Sequence, residues 1–202
     1  FEYWDAALAL YREVELEVNR TPVATPISEF VDVYDIVYNG FDGARVHGWF
    51  MVPKGRVNVP ALVTYPGYTG GRGLAEDHVV WAAAGFAVLA VDARLQGGST
   101  GSNCPLSHGT VKGWVTQGIL SPETSYYRFL LGDAYRAVSC LAQQPEVDYN
   151  RIGVVGSSQG GGMALWTALL HDKVQVCVAN VPNLCHLDKA ILSSTGSITE
   201  AA

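Results

Sequence analysis

Short apolar segments rich in β-branched residues recur along the chain, and longer segments with helical periodicity separate most of them. The short segments have the length of buried strands: Phe30 to Tyr38, Ala44 to Pro53, Pro60 to Tyr65, Phe86 to Asp92, Ile152 to Val155 and Val174 to Val178. Glycines within Asn39 to Gly43 predict a hairpin between the first two strands. The later alternation of strands with helices predicts an α/β fold with a mostly parallel central sheet and helices on both faces.

The helical segments show clear start and stop signals. One helix is predicted around Asp77 to Ala84, and another from Met163 to Leu170. A third is predicted to begin at Ser121 to Glu123, because serine caps a helix, proline suits its first position and an acid favours its dipole. Pro145 is expected to end that helix.

The first 28 residues are predicted to form an N-terminal arm. Its first part has a helical apolar face made of Phe1, Trp4, Leu8 and Tyr11. Glu13 to Val18 then alternates acidic with aliphatic residues, which is typical of a strand. Pro22 and Pro26 mark the connection to the main body.

Composition narrows the possible classes of protein. A chain of 202 residues with 49% hydrophobic and 16% charged residues favours one folded domain over disorder. The net charge of −6 gives no electrostatic reason to expect nucleic acid or an anionic membrane as a partner. The longest apolar run, Val79 to Val91, is shorter than the roughly 17 to 25 residues that a membrane span needs.

The cysteines and the first residues bear on metal binding and location. The 4 cysteines have no C-x-x-C spacing, so we expect free thiols and no metal site. Free thiols favour a cytoplasmic setting. The first residues lack the basic start and apolar centre of a signal peptide. Because the sequence starts at Phe1 rather than methionine, upstream processing stays open.

The segment from Arg151 to Leu170 contains the strongest chemical motif. A predicted strand leads into Gly156-Ser157-Ser158-Gln159-Gly160, which matches G-x-S-x-G, and a predicted helix follows. In that motif the middle serine lies on a strained turn with its hydroxyl above the sheet. We therefore predict that Ser158 is a nucleophile and that the backbone N–H of Gln159 faces the oxyanion formed by its attack.

The same glycines allow a second interpretation. Gly156, Gly160 and Gly162 fit G-x-x-x-G-x-G, a dinucleotide-binding turn of an oxidoreductase. Such a turn should follow the first strand of its sheet and have an acidic residue about 20 positions later. Several strands precede this turn, and positions 176 to 182 contain no acid. We therefore expect no nucleotide cofactor.

Two glycine-rich segments are candidates for the rest of the site. The loop Pro66 to Gly73 follows a strand, and in hydrolases of this architecture such a loop supplies the second oxyanion N–H. Tyr68 is the candidate donor, with an ordinary surface loop as the alternative. The long irregular segment Arg94 to Leu120 is of the kind that shapes a binding surface.

Several motifs in this order resemble the acetyl xylan esterase and cephalosporin C deacetylase family, carbohydrate esterase family seven, within the α/β-hydrolase superfamily. They are Gly67-Tyr68, Arg94 to Gly97, Gly118 to Glu123, Gly156 to Gly161 and Val181 to His186. The resemblance runs along nearly the whole chain and implies one α/β-hydrolase domain over residues 1–202, incomplete at its C-terminus.

The resemblance implies a serine esterase that releases acetate from small substrates such as acetylated xylo-oligosaccharides and acetylated cephalosporins. Ser158 would be the nucleophile, with the backbone N–H groups of Tyr68 and Gln159 as the oxyanion hole. Arg94 and Gln96 would brace the loops. Family members form cyclic hexamers, so a homo-oligomer is expected.

Two residues depart from the family pattern. Leu95 stands where the family has glycine, which puts the backbone of that loop in doubt. Asn183 stands where the family usually has a phenylalanine lining the acyl pocket, which puts strict acetyl preference in doubt.

A serine nucleophile needs a histidine as base and an acid to orient it, and in this architecture both follow the serine in the chain. After Ser158 only His171 and His186 occur. His171 is expected to cap a helix as a cation matched to its dipole, and His186 matches a structural family position. His47, His78 and His108 are expected to be structural or solvated.

The missing acid and histidine leave two expectations open. One is that the native protein continues past Ala202, or that another chain covers the apolar strand Val174 to Val178, which would otherwise be an open sheet edge. The other is a truncated or degenerate hydrolase that serves as a non-catalytic binding or assembly module.

Overall fold

A mixed sheet of seven strands forms the centre of the described part of the chain. The structure is a computed structural model, and it describes residues 2–103 and 113–193. The strands are β1 (Asn19–Pro22), β2 (Val31–Asn39), β3 (Arg45–Pro53), β4 (Val59–Tyr65), β5 (Ala87–Val91), β6 (Val147–Ser157) and β7 (Val174–Asn180). The helices are α1 (Glu2–Glu13), α2 (Val79–Ala83), α3 (Tyr126–Ala142), α4 (Gln159–Leu170) and α5 (Leu187–Ser193), with short 3₁₀ turns at Ala75–His78 and Trp114–Thr116.

The strand order is β1-β2-β3-β5-β4-β6-β7. β1, β2, β3 and β5 pair antiparallel, and β5, β4, β6 and β7 pair parallel. Each parallel crossover contains a helix, as the alternating pattern predicted. Because parallel strands end at the same edge, the residues that follow β4, β6 and β7 meet there.

The main hydrophobic core covers one face of the sheet from β2 to β6. All five residues of β5 are buried, which explains its uninterrupted apolar sequence. On one face α3 packs Leu130, Leu141 and its other apolar residues against the strands, and each of these two is fully buried. α2 contributes to a smaller cluster on the other face, together with Met51 and Val88. The predicted α/β fold is therefore confirmed.

Two local predictions were wrong. The strand predicted at Glu13 to Val18 is absent; α1 continues to Glu13, and the strand of the N-terminal segment is β1. Helix α3 begins at Tyr126 rather than at Ser121. The main-chain N–H groups of Thr124 and Ser125 both bond the carbonyl oxygen of Ser121, so these residues close a turn before the helix starts.

β7 lies at the edge of the sheet in the described part of the chain, as its place in the sequence predicted. It pairs with β6 alone, and its side chains at Val176 and Val178 are 59% and 50% exposed. Within residues 2–103 and 113–193, no helix combines the length and the apolar character needed to cross a bilayer.

His171 ends α4 but is not the charged cap that was expected. Its Nε2 lies 3.1 Å from Ser139 Oγ, and its Nδ1 accepts a hydrogen bond of 3.2 Å from the main-chain N–H of Lys173. The ring lies 4.3 Å from that of Tyr135. Burial lowers the pKa of His171 to about 4, so the imidazole is neutral at pH 7 and carries its proton on Nε2.

This burial predicts an acid-sensitive fold. The pKa of His171 is lowered from 6.5 to about 4 by folding, so the unfolded chain binds the extra proton first as pH falls. The stabilising contribution is complete above pH 6.5 and is lost between pH 6.5 and 4. We expect His171 to account for a fall of roughly 2 to 3 kcal/mol in the free energy of unfolding between pH 7.5 and pH 4.5. Urea unfolding of the parent protein and of His171→Asn at both pH values measures this contribution as the difference between the two proteins. Asparagine keeps an acceptor for Lys173 but does not titrate.

His186→Asn is the matched control, because His186 is exposed and precedes α5. It should unfold with the same pH dependence as the parent protein. An identical pH dependence for His171→Asn and the parent would contradict a buried neutral imidazole.

Candidate active site

Ser158 lies on a sharp turn between β6 and α4. Its backbone has φ 56° and ψ −119°, a strained conformation for a residue with a side chain. The main chain holds this turn: Ser158 N donates to Asn180 O at 3.0 Å, and Ser158 O accepts from Asn183 N at 2.9 Å. Ser158 is exposed at the edge where the parallel strands end. This strand, turn and helix match what the G-x-S-x-G motif predicted.

The glycines of the motif are required by close packing of the backbone. A Cβ on Gly156 would overlap with the carbonyl of Gly160, at the start of α4. A Cβ on Gly160 would overlap with the carbonyl of Tyr65, at the end of β4. The glycines therefore let α4 approach two strand ends, and this turn follows the sixth strand of the chain, unlike the first-strand turn of dinucleotide-binding folds.

The side chain of Gln159 joins the turn to a second loop. Gln159 is fully buried, and its amide exchanges two hydrogen bonds with the amide of Gln96, at 3.0 and 3.2 Å. Gln96 Oε1 also accepts a 2.6 Å bond from the main-chain N–H of Thr69. One amide therefore contacts both segments that were predicted to supply oxyanion N–H groups.

Tyr126 holds the side-chain amide of Gln96 in its orientation. Gln96 Nε2 donates to the Tyr126 hydroxyl at 2.7 Å, and that hydroxyl donates to Arg94 O at 2.7 Å. Burial raises the pKa of Tyr126 well above its usual range, so the phenol stays protonated and acts as a donor. The chain of bonds determines which way the Gln96 amide faces.

Tyr68 lies in the loop after β4, two residues past Pro66. Its ring is half-buried and packs edge-on against Trp114, with 5.4 Å between the ring centroids. The neighbouring Thr69 has φ 68°, and its carbonyl accepts a 3.1 Å bond from Gly97 N. The loop that carries Tyr68 is thus tied to the segment after β5 on both sides of Thr69. The oxyanion roles of Tyr68 and Gln159 stay predictions.

Arg94 and Asp92 brace the same segment from the interior. Arg94 is fully buried and pairs with Asp133 at 2.6 Å and with Asp42 at 3.0 Å. Asp92 is also buried and accepts main-chain bonds from Arg72 at 2.8 Å and Ser99 at 2.7 Å. The bracing role that the resemblance implied for Arg94 fits these contacts. Sequence reasoning missed Asp92, although an acid directly after a buried strand was a usable signal.

The two departures from the family pattern have different structural outcomes. Leu95 has φ 63°, the left-handed conformation that glycine adopts without strain, and its main chain still bonds Thr100 O at 2.8 Å. A side chain in that region costs about 1–2 kcal/mol. Asn183 turns its side-chain oxygen onto the N–H of Leu184 at 2.6 Å, and it lies in the wall of a cavity beside α4.

Within residues 2–103 and 113–193, no hydrogen bond joins Ser158 to a histidine or a carboxylate. His171 is buried against α3, His47 lies in β3, and His78 bonds the carbonyl of Arg72. His108 and Cys104 lie outside the described residues. Over the same described ranges, no cluster of three histidine, cysteine or acidic side chains could hold a metal ion.

Comparison with known proteins places these features in a family. The family model described as acetyl xylan esterase matches residues 1–199. The solved acetyl xylan esterase from Paenibacillus sp. R4 superposes with a TM-score of 0.94 and 37% identity, over 99% of this chain and 65% of that one. Acetyl xylan esterase 1 from Thermoanaerobacterium sp. JW/SL YS485 gives a TM-score of 0.91 and 31% identity, over 99% and 64%.

A curated relative is more distant. Acetyl esterase Axe7A from Xylanibacter ruminicola is 25% identical over 194 residues, which cover 90% of this chain and 43% of the relative. The chain thus spans less than half of this curated relative and just under two thirds of the two solved structures. The chain belongs to the acetyl xylan esterase family and has the α/β-hydrolase fold.

Proposed function

We propose that this chain carries the nucleophile and the oxyanion-binding part of a serine carboxylesterase that hydrolyses acetyl esters of small substrates. The observation that carries the proposal is the strained turn at Ser158, which exposes a hydroxyl at the edge where the parallel strands end. A residue held in such a conformation is typical of a nucleophile in this fold.

The chemistry would proceed through an acyl-enzyme. Ser158 Oγ attacks the ester carbonyl, and the N–H groups of Tyr68 and Gln159 bind the oxyanion of the tetrahedral intermediate. Collapse breaks the bond to the alcohol, which leaves with a proton, and water then releases acetate from Ser158. The proposal requires a histidine base and an orienting acid that reach Ser158 from residues other than those described.

The expected substrates are acetylated xylo-oligosaccharides and cephalosporin-type acetates. Family membership and the names of the solved relatives support an acetyl ester as the reacting group. Assembly into a homo-oligomer, as a cyclic hexamer, and a cytoplasmic location are further parts of the proposal that rest on resemblance and composition.

A non-catalytic binding or assembly module is the second candidate. The lack of a hydrogen bond between Ser158 and a histidine or carboxylate among the described residues favours it. The two candidates differ in one chemical property, because only an esterase activates Ser158. Covalent labelling of Ser158 by an active-site phosphonate would therefore rule out the binding module.

Ser158→Ala should abolish acetate release from a small acetyl ester. Because the alanine variant has no nucleophile, we expect kcat to fall by roughly 10⁴-fold or more. Acetate release should be measured on the product of the complete coding sequence, with circular dichroism to check folding. Ser157→Ala is the matched control, since Ser157 is the exposed neighbour with one weak side-chain contact, 3.4 Å from Asn180 Nδ2. Equal activity of Ser158→Ala and the parent would refute the proposal.

Gln96→Leu should lower kcat more than it changes KM. Leucine keeps the size of the side chain but loses the bonds to Thr69 and Gln159, so both oxyanion segments lose their common contact. We expect kcat to fall by about tenfold to a hundredfold, at most the effect of losing one oxyanion donor. Gln143→Leu, at an exposed glutamine after α3, is the control and should keep parental kinetics. A change confined to KM would show that Gln96 does not position the oxyanion hole.

A further inference from the structure

A cavity of about 290 Å³ lies beside α4, on the same side of the sheet as α3. Its walls come from α1, the first turns of α3, the middle of α4, helix α5 and the segments around residues 115–125 and 183–184. The main apolar side chains that line it are Trp4, Val115, Ile119, Leu131, Trp166 and Leu184. Its size is at the lower end of ligand pockets, which are about 300–1,000 Å³.

One wall residue of the cavity contacts the turn that carries the nucleophile. Asn183 lies in its wall, and the main-chain N–H of Asn183 bonds Ser158 O at 2.9 Å. Crossover helices of a parallel sheet begin at the edge where the strands end, so the first turns of α3 and α4 lie at the edge that carries Ser158. Val115, another wall residue, directly follows Trp114, which packs on Tyr68.

The apolar wall of the cavity favours an alkyl chain over the sugar part of an ester. Leu131 and Val115 are 5% and 8% exposed, and the rings of Trp4 and Trp166 lie 5.0 Å apart. Asn183 uses its side-chain oxygen on Leu184 N, and Arg128 uses a guanidinium nitrogen on Glu123 O. The wall offers a sugar few hydrogen-bond partners, whereas an alkyl chain gains by leaving water.

We propose that this cavity binds the alkyl chain of the acyl group, so that the site accepts medium-length acyl esters such as hexanoates as well as acetates. The inference rests on the proposed esterase function of Ser158. Acetyl would occupy only the entrance beside Asn183, and a longer chain would continue along α4 towards Trp166. Each methylene that is fully buried can improve kcat/KM by about fourfold.

The first test compares p-nitrophenyl acetate with p-nitrophenyl hexanoate on the product of the complete coding sequence. We expect kcat/KM for the hexanoate to equal or exceed that for the acetate. Ile119→Trp adds bulk at the cavity wall and should lower the hexanoate-to-acetate ratio by about tenfold, since Ile119 lies in the wall. Leu120→Trp is the matched control, because Leu120 is 99% exposed and outside the cavity. A kcat/KM for the hexanoate below that for the acetate, or the same hexanoate-to-acetate ratio in Ile119→Trp and Leu120→Trp, would overturn the proposal.

A binding measurement separates this inference from the proposed function. Trp4 and Trp166 in the wall should report occupancy by a change in fluorescence when N-methylhexanamide, a non-hydrolysable ester analogue, is added to Ser158→Ala. N-methylacetamide should bind more weakly by up to about 200-fold. Saturable binding without hydrolysis of any ester would support the cavity and overturn the esterase. Hydrolysis of p-nitrophenyl acetate without a fluorescence response would support the esterase and overturn the cavity.

Discussion

The close approach of the α4 backbone to the ends of β4 and β6 is the constraint on which the site depends. It is possible only because Gly156 and Gly160 lack side chains where a Cβ would overlap with backbone carbonyls. The approach forces the intervening Ser158 into a strained conformation that no isolated turn would favour. In this conformation Ser158 is exposed at the edge of the sheet, so the close packing of α4 also presents the hydroxyl for reaction.

Buried polar groups hold the loops that follow β4 and β5 against this turn. The Gln96 amide bonds Gln159 and the main chain of Thr69, while Tyr126 orients it. Beneath them Arg94 is paired with two carboxylates, so its buried charge is compensated. Losing one partner of such a buried pair typically costs about 3–5 kcal/mol, because the other charge remains buried. The polar network thus joins the loops that follow β4 and β5 to the turn at Ser158.

Local sequence signals predicted the elements well and the tertiary contacts poorly. The β-branched runs located the strands, and the glycines of the motif located the turn at Ser158, because both are governed by backbone sterics. The helix start at Ser121 was wrong because the same serine chemistry that caps helices also closes turns. The prediction that His171 is charged was wrong because its burial against Ser139 and Tyr135 depends on how α3 packs against α4. The contact of Gln96 with Gln159 joins residues 63 positions apart, which no local pattern encodes.

Backbone strain is concentrated in the segments around the site. Of the described non-glycine residues with positive φ, those in the loops that follow β4, β5, β6 and β7 are Thr69, Leu95, Ser158, Val181, Leu184 and His186. A strained residue costs about 1–3 kcal/mol and persists only where its surroundings over-determine it. Here the surroundings are specific: Gln96 Oε1 accepts from the main-chain N–H of Thr69, and the carbonyl of Ser158 accepts from the N–H groups of Gly162 and Asn183. The strained loops meet at one edge of the sheet because the parallel strands that precede them all end there, and the exposed hydroxyl of Ser158 lies at that edge.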